Sequence, residues 1–404
     1  MSDRTMPEIN TNTLQGFKYL KNFLPLLERY HEIGNLKNRK LYFDQYLTMI
    51  ILYFFNPVLT SLRGIQQATT IEAIQNKLEI EKTSLSSLSE AATVFDADLL
   101  LLLIKELAAQ AMPLEKNAEL KAIQQMIIAV DGSLLRAVPT MLWAQWIDED
   151  NRAAKLHLAL DIKRQVPTDA TITHGNGSEK AIVRESFLKS DTLYLLDAGY
   201  AEYKFLQEIM DASSSFVIRL KDNAVWEDIS TSELSQADKE AGVLKDSIVK
   251  LGSKTKQNDI TQPIRILKIF HKGDESVYRK SRISSKKTYR TTDSDYTFLL
   301  ATDRTDLPAE VIALLYKKRW DIELFFRWFK CILGCTHLIA HSKNGVAIQV
   351  YCALIASLLI SIWTGKKPTK RTFEMLQFYF LGWVSEQEME AHLISTLKNQ
   401  KKFK

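Results

Sequence analysis

The stretch Leu315-Tyr-Lys-Lys-Arg-Trp-Asp-Ile-Glu-Leu-Phe-Phe-Arg-Trp-Phe-Lys330 decides how the rest of the chain is read. It holds no Gly or Pro, and its apolar residues recur at helical spacing, which predicts one helix. At about 100° per residue, Tyr316, Arg319, Glu323 and Lys330 fall within an arc of roughly 60°. One stripe thus carries a phenol, a guanidinium, a carboxylate and an ammonium. Trp320 borders the stripe, while Leu324, Phe325 and Trp328 point away toward a core. Such a stripe is either a solvated face laced by charge pairs, or a helix that offers one metal-binding carboxylate among groups that grip phosphates. The second use needs two aspartates upstream, each at the end of a strand.

Upstream, short β-prone runs supply them. Gln125-Met-Ile-Ile-Ala-Val130 ends at Asp131-Gly132-Ser133, and Leu156-His-Leu-Ala-Leu160 ends at Asp161. Asp169-Ala-Thr-Ile-Thr173 is a third run, stopped by His174-Gly-Asn-Gly177, after which Ser178 caps a helix to about Lys189. Thr192-Leu-Tyr-Leu-Leu196 reads as a buried strand and ends at Asp197-Ala198-Gly199-Tyr200. A helix from about Ala201 to Asp211 and the strand Ser215-Phe-Val-Ile-Arg-Leu220 follow. Strands interleaved with helices in this order predict a mixed α/β sheet. Asp131, Asp197 and Glu323 are the expected carboxylate set, with Asp161 as the rival second member. Oxygen donors without Cys or His select hard cations, Mg²⁺ or Mn²⁺, and two such ions flank an in-line phosphoryl displacement.

Tyr, two residues, Arg, three residues, Glu, six residues, Lys resembles the Y-R-E-K signature of the IS4-family transposases. Asp131-Gly132 resembles that family's first motif and Asp197-Ala198-Gly199-Tyr200 its second, D-x-G-Y. The match runs from about Ile123 to Trp363. What the resemblance implies is a DDE enzyme: an RNase H-like catalytic domain interrupted by a β-strand insertion. Its implied activity is cut-and-paste transposition, with catalytic and metal-binding roles for Asp131, Asp197 and Glu323. It further implies a homodimer that synapses two terminal inverted repeats and joins them to target DNA. Tyr316, Arg319 and Lys330 would contact DNA, with Arg219 and Lys221 leaving a strand toward the same phosphates. Tyr296 and Phe298 are candidates to receive a flipped base, or else half-buried strand aromatics.

Composition fits this expectation. The chain has 404 residues, 46% hydrophobic and 25% charged, with a net charge of +5. That is the balance of a globular protein able to bind nucleic acid. Its three cysteines, Cys331, Cys335 and Cys352, imply no disulfide framework, and a reducing cytoplasm, nucleoid-associated in a bacterium, is expected. Cys331 and Cys335 lie too near His337 and His341 in sequence for a zinc finger. Val346 to Trp363 is about long enough to span a bilayer, but Gln349 and its small residues favour a buried helix.

The expected fold class is α+β / α/β, an RNase H-like mixed sheet with flanking helices and a β-rich insertion. Residues 1–118 are expected to form an all-helical end-binding domain, from Phe17–Ile33, Leu41–Phe55 and Phe95–Met112, with Leu99 to Ile104 buried all round. The serine-rich stretch from Lys82 to Ser89 caps a helix and could belong to a helix-turn-helix. Residues 119–220 and 296–365 would make the two parts of the catalytic domain. Between them, 221–295 carries a basic run from Lys245 to Arg290 that includes Arg265, with a local excess of about +9, suited to DNA phosphates. Residues 366–404 are expected to be a basic linker and a helical tail. Alternatives with the same residues are a silent transposase-derived DNA-binding protein and a simple metal-dependent nuclease.

Overall fold

Apolar runs between 126 and 302 become the nine strands of one sheet in a computed structural model, which describes residues 25–33, 41–146, 148, 151–252, 260, 262–272, 296–331 and 337–393. Ahead of the sheet lie α1 (Phe43–Phe55), α2 (Leu62–Ala68), α3 (Glu72–Leu78), α4 (Leu85–Val94), α5 (Leu99–Gln110) and α6 (Ala118–Ala122). Next come β1 (Met126–Arg136), β2 (Ala153–Asp161), β3 (Val166–His174), α7 (Glu179–Ile182), β4 (Thr192–Leu196), α8 (Tyr203–Asp211) and β5 (Ser215–Arg219). The chain continues through β6 (Trp226–Thr231), α9 (Gln236–Glu240), β7 (Val243–Leu251), β8 (Ile264–His271) and β9 (Tyr296–Thr302). It closes with α10 (Ala309–Lys318), α11 (Trp320–Cys331), α12 (Lys343–Thr364) and α13 (Lys370–Phe380).

The strand order is β3-β2-β1-β4-β5-β9-β8-β7-β6. β1 pairs antiparallel with β2 and parallel with β4, and β4 pairs parallel with β5. β4 is buried at every position, so it reads as a continuous apolar run rather than an alternation. The insertion is not a separate β unit. β6, β7 and β8 extend the same sheet through β9, whose Thr302 pairs with Arg265 of β8 and Val217 of β5. Arg265 is therefore no phosphate contact: its side chain is 8% exposed and its Nη2 lies 2.7 Å from Asp246 Oδ2. Most of the expected basic run, from Lys254 and Lys256 through Arg279 to Arg290, falls outside the described residues.

One apolar cluster runs from Leu27 to Met389, joining α1, α4 and α5 to α12 and one face of the sheet. The N-terminal helices thus share a core with the sheet instead of forming one of their own. Asn344 stitches the two regions, accepting from Ala97 N at 3.1 Å and donating to Ala92 O at 3.0 Å. α12 is long and apolar enough to cross a bilayer, yet 89% of its most apolar window is buried, as a core helix requires. Leu102, expected inside, is 58% exposed, because α5 buries only the side bearing Leu100, Leu103 and Leu107. Ser84 caps α4, accepting from Ser87 N at 3.0 Å. A second cluster under α7 and α8 covers the sheet's other face. The segment 366–371 is no free linker. Lys366 reaches Leu393 O, Lys367 donates to Gln165 Oε1 at 2.9 Å, and Lys370 and Arg371 already belong to α13.

Candidate active site

The pleat sorts the strand residues. Ile127 and Ala129 of β1 and Leu193 and Leu195 of β4 belong to the first cluster, while Ile128, Val130, Tyr194 and Leu196 belong to the second. Side chains alternate along a strand, so Asp131 and Asp197 both follow the first series and share the face covered by α11. The parallel register aligns Ala129 with Leu195, so two residues on Asp131 stands level with Asp197. Neighbouring strands lie about 4.8 Å apart. β1 itself does not end at Asp131, as the sequence suggested, but runs to Arg136 in its pairing with β2. What ends there is its pairing with β4, which opens the gap between the two aspartates.

Asp131 Oδ1 accepts from Gly132 N at 2.7 Å, and Asp197 Oδ1 accepts from Gly199 N at 2.8 Å. Burial pushes the Asp131 carboxyl up to about 7, against the opposing pull of the Gly132 amide; Glu179 and Asp197 push the same way, and Arg319 pulls it down. Asp161 belongs elsewhere. It is 1% exposed, three register steps away opposite Ile128, and held at 3.0 Å by Arg164 Nη1 in the turn after β2.

The expected single helix breaks at Arg319, where α10 hands over to α11. Arg319 N bonds Tyr316 O at 3.1 Å and Ile322 N bonds Arg319 O at 3.2 Å, a tighter turn than the α-helical one. Ile322, Phe325 and Phe329 anchor α11 in the first cluster, but Trp320 is 50% exposed and anchors nothing. Arg319 Nη2 donates to Glu323 Oε1 at 2.6 Å, and its guanidinium lies 5.9 Å from the Tyr316 ring centre. The stripe is therefore partly the i,i+4 charge pair of a solvated face. It is also more, since the Arg319 charge acts on Asp131. Lys330 sits half-buried in the last turn of α11. Among the described residues no three acidic, His or Cys side chains close round a single point, and Glu323 is bonded to Arg319.

Comparison with known proteins decides the family. The model described as Transposase DDE domain matches residues 123–359, more than half of the chain. The chain belongs to the DDE transposase family. It is 31% identical over 228 residues to y4zB of Sinorhizobium fredii, a protein with a transposase name, covering 56% of this chain and 57% of that one. It is 28% identical over 237 residues to the transposase named for insertion sequence element IS5377 of Geobacillus stearothermophilus, covering 58% and 55%. A transposase named for IS4SA of Synechocystis is 21% identical over 82% of this chain and 88% of its own. The matches thus span just over half the length of the first two relatives. Among solved structures, the piggyBac transposase synaptic complex with hairpin DNA aligns over 96% of this chain and 84% of its own, at 10% identity and a TM-score of 0.39.

In this member of the DDE transposases, an aromatic row leads from β8 across β9 toward the acids. His271 and Tyr296 have ring centres 5.1 Å apart, Tyr296 and Phe298 5.8 Å, and Phe298 and Tyr316 5.6 Å. Arg219 lies over both Tyr296 and Phe298, at 5.9 and 5.5 Å. Tyr296 is 40% exposed and Phe298 is half-buried, so β9 offers a ring face to solvent beside a cation. Burial raises the Tyr316 phenol above its usual range; Arg319 and Arg219 oppose the rise and Asp197 adds to it, which ties the row to the acids. Lys221 lies exposed just past β5. The Cys331 side chain and all of Cys335 fall outside the described side chains, while His341 lies 3.4 Å from Thr140 Oγ1.

Sequence reasoning missed Glu179. It stands in the first turn of α7, capped by Ser178, whose hydroxyl accepts from Ala181 N at 3.3 Å. Glu179 pairs with Lys155 at 2.5 Å and acts on both Asp131 and Tyr200. A capped turn looks like mere punctuation in sequence; only the glycine after Asp131 hints that something must pack close there.

Proposed function

We propose that this chain is an insertion-sequence transposase that cuts DNA at the ends of its element and joins them to target DNA. The observation that carries the proposal is the level placement of Asp131 and Asp197 on one sheet face beneath Arg319 and Glu323. The donor set fits divalent cations: the acids are hard oxygen donors, and Asp131 is crowded by anions that a cation would relieve. Asp131, Asp197 and Glu323 would hold the metal, with two Mg²⁺ ions as the proposed complement and Mn²⁺ as substitute. A metal pair there would supply charge neutralisation for the attacking and leaving oxygens of a phosphodiester.

The protein's own residues do the rest. Arg319 holds Glu323 in reserve and presents its guanidinium to the phosphates. Arg219, Lys221 and Lys330 add charge along the strand's path, while Tyr316 contributes a hydroxyl and Tyr296 and Phe298 offer stacking faces. The proposed parse keeps 1–118 for end binding, 119–220 and 296–365 for catalysis, 221–295 as a DNA-facing extension of the sheet, and 366–404 as the tail. Two protomers on paired ends, acting at the nucleoid of a bacterial cell, complete the proposal.

A binding-only protein is favoured by one observation, that Glu323 is engaged by Arg319 at 2.6 Å and no three acids gather at one point among the described residues. Incubation with a DNA bearing the element's terminal inverted repeat and a target plasmid, with and without Mg²⁺, separates the outcomes. Joined product supports a transposase, and nicking alone supports a nuclease. Metal-independent binding with no product supports the silent protein and overturns the proposal.

A further inference from the structure

The β1–β4 ladder ends at the Ala129–Leu195 pair, two residues short of Asp131 and Asp197, so the spacing of the two acids must be fixed by other contacts. α7 lies behind that gap, with Ile182 packed in the cluster of Ile128, Val130 and Leu196, on the face opposite the two acids' side chains. On one side Glu179 rests against β1 and β2. A Cβ built on Gly132 would lie 2.5 Å from Glu179 Oε1, and Lys155 Nζ is 2.5 Å from the same oxygen. Gly132 follows Asp131, faces α7 by strand alternation and pairs with His157, two residues from Lys155. On the other side α7 grips the turn after Asp197. Tyr200 is 1% exposed, and its phenol is raised well above the usual range by burial and then by Glu179 beside it. Its amide bonds Asp197 O at 3.2 Å, so phenol and acid belong to one tight turn. Lys180 reaches Glu202 at 2.7 Å, and Arg184, in the π-helical turn that continues α7, reaches Glu202 at 3.4 Å. Glu202 N in turn bonds Tyr200 O at 2.7 Å. Pairs as exposed as Lys180–Glu202 contribute little singly; the Glu179–Lys155 pair, with side-chain exposures of 26% and 16%, is the shielded centre of the set.

We propose that Glu179 is a positioning residue that braces the Asp197–Tyr200 turn against β1 and β2 from behind, and so sets the separation at which Asp131 and Asp197 can share divalent cations. Where the ladder stops, the brace takes over: Lys155 anchors it to β2, Tyr200 ties it to the turn, and Gly132 leaves it room. The inference rests on Asp131 and Asp197 being metal-binding residues, and its test separates the two claims.

The test is Mn²⁺ titration of the full chain by calorimetry, with the Mn²⁺ concentration for half-maximal cleavage and the melting temperature measured in parallel. Tyr200→Phe removes one hydroxyl and should weaken Mn²⁺ binding about fivefold, the scale of one hydrogen bond. Glu179→Ala should weaken it about tenfold or more, because both ends of the brace are lost. Glu179→Gln keeps an acceptor oxygen in place and should stay within about threefold of wild type. The double variant Tyr200→Phe/Glu179→Ala should bind no more weakly than Glu179→Ala alone, since the two changes remove one shared contact. Wild-type Mn²⁺ affinity in Tyr200→Phe and Glu179→Ala overturns the proposal, even where the melting temperature falls, because that is a structural role only. Losses that add in the double variant overturn it too, and so does a Glu179→Gln variant as weak as Glu179→Ala, which would make the charge and not the brace the active feature. If Glu179→Ala fails to fold, Tyr200→Phe decides: weakened Mn²⁺ binding supports the brace and wild-type binding overturns it. Asp197→Asn is the separate control. Normal Mn²⁺ binding there removes the metal assignment and the brace with it, whereas lost binding there beside wild-type binding in Tyr200→Phe removes the brace alone.

Discussion

Replacing Asp131 by Asn should stabilise the metal-free protein at alkaline pH while abolishing its stabilisation by metal. The carboxyl's usual value is 3.8, and in the fold it is about 7. A raised acid binds its proton more tightly in the folded state than in the unfolded one. Below pH 3.8 both states are protonated and the group is neutral in the balance. As pH rises from there to about 7, the unfolded chain ionises first and stability falls; above 7 the penalty is constant. The full difference corresponds to about 4 kcal/mol, and relaxation around a half-buried group leaves about 2 kcal/mol as the working figure. Unfolding entropy of roughly 2.1 cal/mol/K per residue over 404 residues converts this into a rise of about 2–3 °C. Differential scanning calorimetry in EDTA at pH 5 and pH 8 measures it. The Asp131→Asn variant should melt within a degree or so of wild type at pH 5, and above it at pH 8. Saturating Mg²⁺ at about 100 times its Kd should add roughly 2.7 kcal/mol to wild type and much less to the Asp131→Asn variant. Equal melting of the two proteins at both pH values would refute the claim that Asp131 is crowded by burial and neighbouring acids.

Glu323→Gln removes the third acid's charge and releases Arg319, so metal-dependent cleavage should fall at least about 100-fold while gel-shift affinity for element ends holds or improves; normal cleavage would remove Glu323 from the catalytic set. Arg219→Ala should weaken end binding and flatten the slope of log affinity against log salt by about one unit, and loss of affinity with an unchanged slope would assign Arg219 to packing on Tyr296 and Phe298. Asp246→Asn strands the buried Arg265 guanidinium and should cost about 3–5 kcal/mol in urea unfolding; a change below about 1 kcal/mol would show that Arg265 finds other acceptors, such as the Arg304 and Leu307 carbonyls it already bonds.

Local patterns sufficed for much of this protein. The alternation before Asp161 and the helical spacing after Leu315 reflect periods imposed by the backbone itself, and the unbroken apolar run Thr192–Leu196 reflects a strand buried on both faces. Asp131 and Asp197 stood out in sequence because each follows a short apolar run, and Tyr316, Arg319 and Glu323 because helical spacing carries across the turn at Arg319. Tertiary structure decided what depends on which elements meet. Sequence cannot say that β6 to β8 continue the main sheet, because an edge of unpaired backbone groups can accept any strand of suitable length. Nor does it separate Arg265, buried against Asp246, from the basic residues around it, since a charge's role depends on its partner across the sheet. The tight turn at Arg319, marked by the bonds from Arg319 N to Tyr316 O and from Ile322 N to Arg319 O, was likewise invisible, since the helical spacing runs straight through it. Glu179 lay wholly beyond local reading: its importance comes from Gly132, Lys155 and Tyr200, which only the folded sheet brings together.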